Sequence, residues 1–301
     1  MTISVVIPNY NGEKILEKNL PKVLDAVGDA EVIVVDDASA DGSLEVLSSY
    51  KSKIKIIKNE KNLGFSSTVN KGVKEARGEI VILLNTDVAP EKTFLKPLLY
   101  DFKDDNIFAV GCMDKSIEQG TVVFRGRGIG SWKKGFLIHS KGEVNKADTL
   151  WVGGGSGAFR KSIWEKLRGF NTLYDPFYWE DIDLSYRALK SGYKIIFEPK
   201  SVVIHEHEKG AIKSNYSNFK VKTIAYRNQF IFVWKNATDL NLQFSHLLWL
   251  PYHFVKAFVK GDKAFFIGFF TALFRLPKII SSSLEDQRMF ILKDSQVTPY
   301  D

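Results

Sequence analysis

The chain has a single cysteine, Cys112, among its 301 residues. That excludes an internal disulfide and a cysteine-rich zinc site, and it fits a reducing compartment. Three glycine signatures are missing as well. The turn after the first strand-like run is Pro8-Asn9-Tyr10-Asn11-Gly12 rather than Gly-x-Gly-x-x-Gly, which disfavours a dinucleotide fold. There is no Gly-x-x-x-x-Gly-Lys-Ser/Thr stretch and no Gly-x-Ser-x-Gly elbow, so P-loop phosphotransfer and elbow-type acyl transfer are disfavoured. The apolar stretch 264–274 falls short of the roughly 20 residues that a bilayer-spanning helix needs. Internal repeats and low-complexity tracts are absent. The chain opens Met1-Thr2-Ile3 and passes directly into a strand-like run, so no secretory leader is expected.

Hydrophobic content of 45% and charged content of 26% are ordinary for a globular enzyme, and the length suits one large domain with an appendage. The net charge is +7. Residues 209–263 alone carry nine Lys/Arg against Asp239 and Asp262, which equals the whole excess. A basic surface of this kind suits phosphate-bearing substrates, anionic lipid or nucleic acid.

The first hundred residues alternate strand and helix signals. Apolar, β-branched runs at 3–7, 32–35, 54–57 and 80–84 are separated by helix-like stretches at 13–27, 43–50 and 66–76. Continuous apolar strands in a βαβαβαβ order predict a mostly parallel sheet with helices on both faces. A helix is predicted over 93–102, a strand over 107–112, and loops with short strands over 120–135. Three predicted strands break in polar residues: Asn9, Asp36-Asp37 and Asn85-Thr86-Asp87. In open α/β sheets the carboxyl edge of the strands is where ligands bind.

Asp87 is suited to a hard divalent cation, which takes one or two carboxylates plus substrate phosphate oxygens. Asp37 can accept hydrogen bonds from a base imide or from ribose hydroxyls. The cluster Trp151-Val152-Gly153-Gly154-Gly155-Ser156-Gly157 lets backbone approach a ligand closely, or makes a tight bend between strands. Phe177-Tyr178-Trp179-Glu180-Asp181-Ile182-Asp183 places three acids behind three aromatics, ahead of a helix predicted over 183–190. Acids at a helix start are favoured by the macrodipole alone. A carboxylate beside a partly desolvated aromatic platform can also work as a general base. In His205-Glu206-His207 the two imidazoles share one face of a strand, and one of them is expected at the metal or the substrate phosphate.

Taken in order, Ser4–Gly12, Val34-Val35-Asp36-Asp37-Ala38-Ser39, Asn62-Leu63-Gly64-Phe65 and Leu84-Asn85-Thr86-Asp87 resemble a family 2 glycosyltransferase of the GT-A fold. Glu180-Asp181-Ile182-Asp183-Leu184 and His205 are similar to its acceptor half. Tyr226-Arg227-Asn228 with Lys235-Asn236 resembles bacterial members that build surface polysaccharide, rhamnosyltransferase-like ones included. The resemblance spans about 3–240. It divides the chain into a GT-A domain at 1–240 (a nucleotide-sugar half at 1–112, an acceptor half at 113–240) and a helical tail at 241–301. It implies inverting transfer from a UDP- or dTDP-sugar to a glycan or lipid-linked glycan, with Mg2+ or Mn2+. Pro8, Asn9, Tyr10, Asp36, Asp37, Gly64, Phe65, Asn85 and Thr86 would line the nucleotide-sugar pocket. Asn85-Thr86-Asp87 stands where the family has Asp-x-Asp, with Asp87 and His205 assigned to the metal. Asp181, following Glu180, matches the catalytic base. Gly154, Gly155, Trp179 and Arg227 are assigned to the acceptor side.

The tail has its own signature. On a helical wheel at ~100° per residue, His246, His253, Lys256 and Lys260 form one stripe, with Leu247, Leu248, Phe254, Val255, Phe258 and Val259 opposite. This predicts a basic, aromatic helix lying in the inner leaflet of the plasma membrane, or one packed on the protein or on a second subunit as a homodimer. Nucleic acid is disfavoured, because the aromatics are not interleaved with Lys/Arg as a stacking groove needs. The competing functions are a carbohydrate- or lipid-binding module without chemistry, and a sugar nucleotidyltransferase.

Overall fold

The computed structural model describes residues 1–118, 121–205 and 216–299. The amino-terminal half follows the predicted alternation. Strands β1 (Ile3–Asn9), β2 (Glu31–Asp36), β3 (Lys55–Lys58) and β4 (Ile80–Leu84) are parallel, in the order β3-β2-β1-β4, joined by helices α1 (Glu13–Val27), α2 (Ser43–Ser49) and α3 (Phe65–Glu75). Side chains alternate between the two sheet faces. Val5, Ile7, Val32, Val34, Ile80 and Ile82 pack with Leu16, Leu20 and Leu47 of α1 and α2. Val6, Ile33, Val35, Val81 and Leu83 pack with Val69 and Val73 of α3 on the other side. Both faces are covered, which is why these strands read as unbroken apolar runs.

The second half extends the same sheet with mixed directions. β5 (Val88–Pro90) is followed by α4 (Leu95–Tyr100), shorter than predicted because the chain tightens into a 3-10 turn at Asp101–Lys103. β6 (Ile107–Glu118) runs well past the predicted end and pairs with β7 (Thr121–Arg125). β8 (Gly128–Lys133) and β9 (Phe136–Lys141) form a separate hairpin. β10 (Ser156–Arg160) inserts antiparallel between β4 and β6. After α5 (Lys161–Lys166) and α6 (Glu180–Lys190), β11 (Lys194–His205) lies parallel to β6, and β5 closes the edge antiparallel to β11. Nine strands of the described residues share this sheet.

The remaining helices are α7 (Asn218–Asn236), α8 (Leu240–Val259), α9 (Lys263–Leu273), α10 (Leu276–Gln287) and α11 (Asp294–Val297). A third core joins the hairpin (Trp132, Phe136), α6 (Tyr186), α7 (Phe230, Phe232), α9 (Phe265) and α10 (Ile279). The segment 241–301 thus shares a core with what precedes it. Helix α8 does not bury the apolar side of its wheel. Its inward side holds His246, only 4% exposed, with Leu242, Phe254 and Ala257, while Lys256 and Lys260 stay exposed and Leu248, Phe258 and Val259 are 78–79% exposed. Among the described residues no single helix is long and apolar enough to cross a membrane; α9 and α10 reach that composition only together, across a 65° bend.

Candidate active site

The three polar strand breaks meet because β2, β1 and β4 are adjacent and run the same way. Asn9 and Asp36 are ladder partners, and the Asn9 side-chain amide donates to Asp36 at 2.8 Å. Asp36 also accepts from the backbone N–H and the hydroxyl of Ser39. Both of its oxygens are therefore engaged inside the protein, and Asp36 is fully buried. It braces the edge rather than facing a ligand, a correction to its expected place in the pocket. Pro8 lies in β1 and Tyr10 just beyond it, both half-buried.

Asp37 accepts from Asn59 at 2.8 Å and from the backbone N–H groups of Leu63 (2.9 Å) and Gly64 (3.0 Å). This fixes the turn into α3. The acceptor half reaches the same turn: Asp175 accepts from Ser66 N–H and the Ser67 hydroxyl, both at 2.8 Å, and Phe65 N–H donates to the Pro176 carbonyl. Asp175 thus caps α3 from a hundred residues away, satisfying amides that a helix start leaves unpaired. Tyr216 stacks edge-on against Phe177 (4.9 Å) and lies near Tyr10 and Asp37; burial and then those two groups push its hydroxyl up.

Asn85 donates its N–H to the Gly155 carbonyl at 2.9 Å. A Cβ on Gly155 would lie 2.5 Å from the Asn85 side-chain amide, so a larger residue there would displace Asn85. The Thr86 carbonyl accepts from Asn19 at 3.0 Å. Asp87 is almost buried, and its carboxylate lies 3.3 Å from His205 Nε2. The short strand β5 makes this pairing, since Val88 is the ladder partner of His205. The other imidazole nitrogen, Nδ1, lies 3.3 Å from Asp114, which also accepts from Ser156 Oγ at 2.7 Å. Burial alone would lower the His205 pKa; hydrogen bonds from its ring to Asp114 and then Asp87 outweigh it and raise it to about 9. Glu206 and His207 lie outside the described residues.

The third carboxylate group closes the site. Trp179 takes a left-handed conformation (φ 76°) and turns the chain into α6, which starts three residues earlier than predicted. Glu180 and Asp181 therefore fall in its first turn. The Asp181 carboxyl accepts from Ile182 N–H at 2.8 Å and from Gly154 N–H. Burial pushes its pKa up to about 6 against those donors, and the group stays partly exposed. Glu180 is buried, and one of its oxygens has no partner among the described residues. Burial first, then the Asp181 charge, push its pKa well upward. Asp181 is linked to Asp87 by short steps: Gly154 N–H on Asp181, then Gly155 C=O on Asn85.

Two acceptor-side expectations change. Trp179 is only 6% exposed, lying between Phe232 and His139. The exposed group at that place is His139, edge-on to both Trp179 (4.9 Å) and Trp151 (5.4 Å). Arg227 is buried too. Its guanidinium donates to the carbonyls of Tyr174 (3.1 Å) and Asp175 (2.7 Å), and Asn228 holds those of Tyr174, Phe177 and Tyr178. The Arg-Asn pair supports the loop that leads to Asp181; its charge is spent on backbone.

Residues 4–168 match the family model described as Glycosyl transferase family 2. The chain belongs to that family. Among curated family 2 relatives, the O-antigen chain rhamnosyltransferase RfbN of Salmonella typhimurium is 26% identical over 69% of this chain and 67% of its own. The cholesterol galactosyltransferase of Borreliella burgdorferi is 37% identical, but over only 35% of this chain and 30% of its own length. The chain thus spans under a third of one of these relatives and about two thirds of the other. Two solved glycosyltransferases share the GT-A fold. Staphylococcus aureus TarS (residues 1–349, with UDP-GlcNAc) superposes with a TM-score of 0.59 at 20% identity, covering 99% of this chain and 83% of that one. GalNAc-T7, with UDP, GalNAc and Mn2+, gives 0.64 at 19% identity over 80% of this chain and 48% of that one.

Asp114 escaped the sequence reading because it lies inside β6, which continues four residues beyond it. Asp175, Tyr216 and His139 left no signal either.

Proposed function

We propose that this family 2 member is an inverting transferase. It moves a sugar from a nucleotide-diphosphate donor, a UDP- or dTDP-sugar, to a hydroxyl of a lipid-linked glycan during assembly of surface polysaccharide. The single observation that carries the reading is Asp181: a partly exposed carboxyl, raised to about 6, joined through Gly154 and Gly155 to the strand end that bears Asp87. A group of that pKa is ionised near neutrality yet still basic enough to take a proton.

Asp181 removes the proton of the acceptor hydroxyl. The freed oxygen forms its bond to the anomeric carbon as the bond to the diphosphate breaks on the opposite face. Asp37 and the amides it orders shape the nucleotide end of the pocket. Burial and the Asp181 charge both disfavour a second negative charge on Glu180, which favours ionisation at Asp181.

The residues at the strand end fit a divalent cation. Asp87 offers one hard carboxylate; His205, oriented through its other nitrogen by Asp114, would give up the proton it shares with Asp87 before its Nε2 could bind the ion, since a ligating imidazole is neutral. No larger cluster of His, Cys, Asp and Glu suited to a metal occurs among the described residues. With Asn85 in place of a first carboxylate, the rest of the coordination would come from donor phosphate oxygens and water, as Mg2+ and Mn2+ accept. Asp87 and His205 would hold the ion, which when bound neutralises the charge of the leaving diphosphate.

The exposed apolar face of α8 supports work at the inner leaflet of the plasma membrane, where a lipid-linked acceptor resides. The name of the Salmonella relative supports an O-antigen-like product. The test is a panel of UDP-, dTDP- and GDP-sugars with Mn2+ or Mg2+, read as slow donor hydrolysis. Turnover of a UDP- or dTDP-sugar is expected. A chain that binds a donor and never hydrolyses it would be a binding module instead.

A further inference from the structure

The hairpin β8–β9 ends against α8 in a way the transfer chemistry does not require. Its tip, Lys134-Gly135, is pinned by two histidines of α8. His253 Nε2 bonds the Lys134 carbonyl at 2.9 Å, and His246 Nδ1 bonds the Gly135 carbonyl at 2.8 Å. Gly135 has φ 77°, and a Cβ there would lie 2.5 Å from the His246 Cα, so the close approach depends on glycine. The pinned turn holds the Lys134 ammonium over two aromatic rings, 5.2 Å from the Trp249 centroid and 4.7 Å from that of Tyr252. Lys256 reaches the same Tyr252 ring from the next turn of the helix, at 5.8 Å. Neither ammonium has a carboxylate partner among the described residues. Two cations thus share the Tyr252 ring, and Lys134 reaches Trp249 as well.

This cluster borders the outward face of α8. Leu248, Val255, Phe258 and Val259 are exposed there, and Phe274, which follows α9, is 88% exposed. Each large apolar side chain left in water forgoes roughly 1.5–3 kcal/mol of burial. A helix that buries His246 and leaves Leu247, Leu248, Val255, Phe258 and Val259 exposed is built for an apolar neighbour. Several features select a bilayer over a protein partner. The rim carries Trp and Tyr, which favour the headgroup level. Lysine stems can lie along apolar surface while the ammonium stays at the polar boundary. The charge is of one sign and suits an anionic leaflet.

We propose that Lys134 and Lys256, seated on Trp249 and Tyr252, form a binding site for the phosphate of an anionic phospholipid at the surface of a bilayer that takes up the apolar face of α8. The site rests on the membrane reading above and gives it a named point of contact. It also bears on the acceptor. His139 lies five residues beyond Lys134 on the same hairpin, at most ~17 Å along a strand. A captured headgroup therefore holds the His139 side of the active site close to the lipid surface.

The experiment is co-sedimentation of the full chain with vesicles of phosphatidylcholine alone and of phosphatidylcholine mixed with phosphatidylglycerol. The wild type is compared with Lys134→Gln/Lys256→Gln and with Phe258→Ser, and thermal melts check that each variant is folded. The wild type should bind the anionic vesicles better, and less well as salt rises. The double-lysine variant should lose about 25-fold in affinity for anionic vesicles, about fivefold per charge, and nothing for neutral ones. Phe258→Ser should weaken binding to both. If the double variant binds anionic vesicles like the wild type, the headgroup site is wrong, while a loss in Phe258→Ser keeps the membrane reading. If the wild type ignores both vesicle types, both proposals fall, and a dimer in solution would then identify a second copy as the cover of α8.

Discussion

Replacing Asp181 by asparagine should make the protein slower and more stable at once. The Asp181 carboxyl is raised from 3.8 to about 6 in the folded protein, burial outweighing the donors Ile182 and Gly154. A folded pKa above the unfolded one means that the native state holds its proton more tightly. Below pH ~4 both states are protonated and the group contributes no difference. Between ~4 and ~6 the unfolded chain has lost the proton and the native state has not, so stability falls as pH rises. Above ~6 the penalty is complete. A rise of ~2 units corresponds to about 3 kcal/mol at ~1.36 kcal/mol per unit. Asparagine accepts hydrogen bonds less strongly, so the net gain expected of Asp181→Asn is about 1–3 kcal/mol at pH 7.5 and close to nothing at pH 4. Urea unfolding at the two pH values measures it. Turnover should drop by about 10²–10⁴, as expected for loss of a general base, while donor affinity is kept. In the wild type the rate should rise with pH through about 6. Identical stability of the two proteins at pH 7.5, or a gain of the same size at pH 4, would show that the carboxyl is not held under strain in this site, and the base assignment would lose its physical support.

Asp87→Ala should remove the dependence of nucleotide-sugar binding on Mn2+, as seen by calorimetry with and without the ion; a metal-independent wild type would speak against the Asp87–His205 site. Gly155→Ala would place a methyl 2.5 Å from the Asn85 amide. Overpacking of this kind costs about 1–3 kcal/mol of stability, which urea denaturation measures, and kcat/KM for the donor should fall as Asn85 is displaced; unchanged stability and kcat/KM would mean that Asn85 is not held by that contact. Lys235→Met removes one of the two cations that bridge Asp183 and Asp286, Arg187 being the other, and urea denaturation should register a loss of about 3–5 kcal/mol. A loss under 1 kcal/mol would mean that water reaches the pair.

Much of the donor half could be read from local pattern. The strands at 3–7, 32–35 and 80–84 are apolar on both faces, and each ends in a side chain that a sheet core does not tolerate. Burial forces such residues to the edge, so Asp37 and Asp87 follow from periodicity alone. The acceptor half was less legible because its pairings are long-range. Asp175 caps a helix about 110 residues earlier, and β5 is only three residues long, yet it brings His205 to Asp87. Arg227 and Trp179 were assigned by residue type. Arginine and tryptophan serve ligands and loop carbonyls equally well, and only burial tells the two apart. The wheel of α8 showed two unlike faces correctly, but amphipathicity carries no sign. It cannot say which face meets the protein, and here the inward side mixes His246 with Leu242, Phe254 and Ala257, while Lys256 and Lys260 stay exposed.

Helix α6 shows how the two halves of the design depend on each other. Its first turn holds Glu180 and Asp181, whose desolvation destabilises the fold. One turn on, Asp183 is fully buried and held well below the usual carboxylate range, because Lys235 and then Arg187 outweigh its burial. Lys235 (2.8 Å), Arg187 (2.8 Å), Asn236 (2.8 Å) and the Tyr174 hydroxyl (2.9 Å) all reach that carboxylate. At the far end of α6, Lys190 pairs with buried Asp294 at 2.8 Å. A buried ion pair adds little net stability compared with apolar packing, but breaking one strands a charge. The network therefore acts on position more than on strength. Any rotation or slide of α6 would separate Asp183 from Lys235 or Lys190 from Asp294, so the helix has one place to sit. That place is set by α7, α10 and α11, the same carboxyl-terminal bundle whose outward face is apolar. The bundle that would meet lipid thus also fixes the carboxyl group of Asp181.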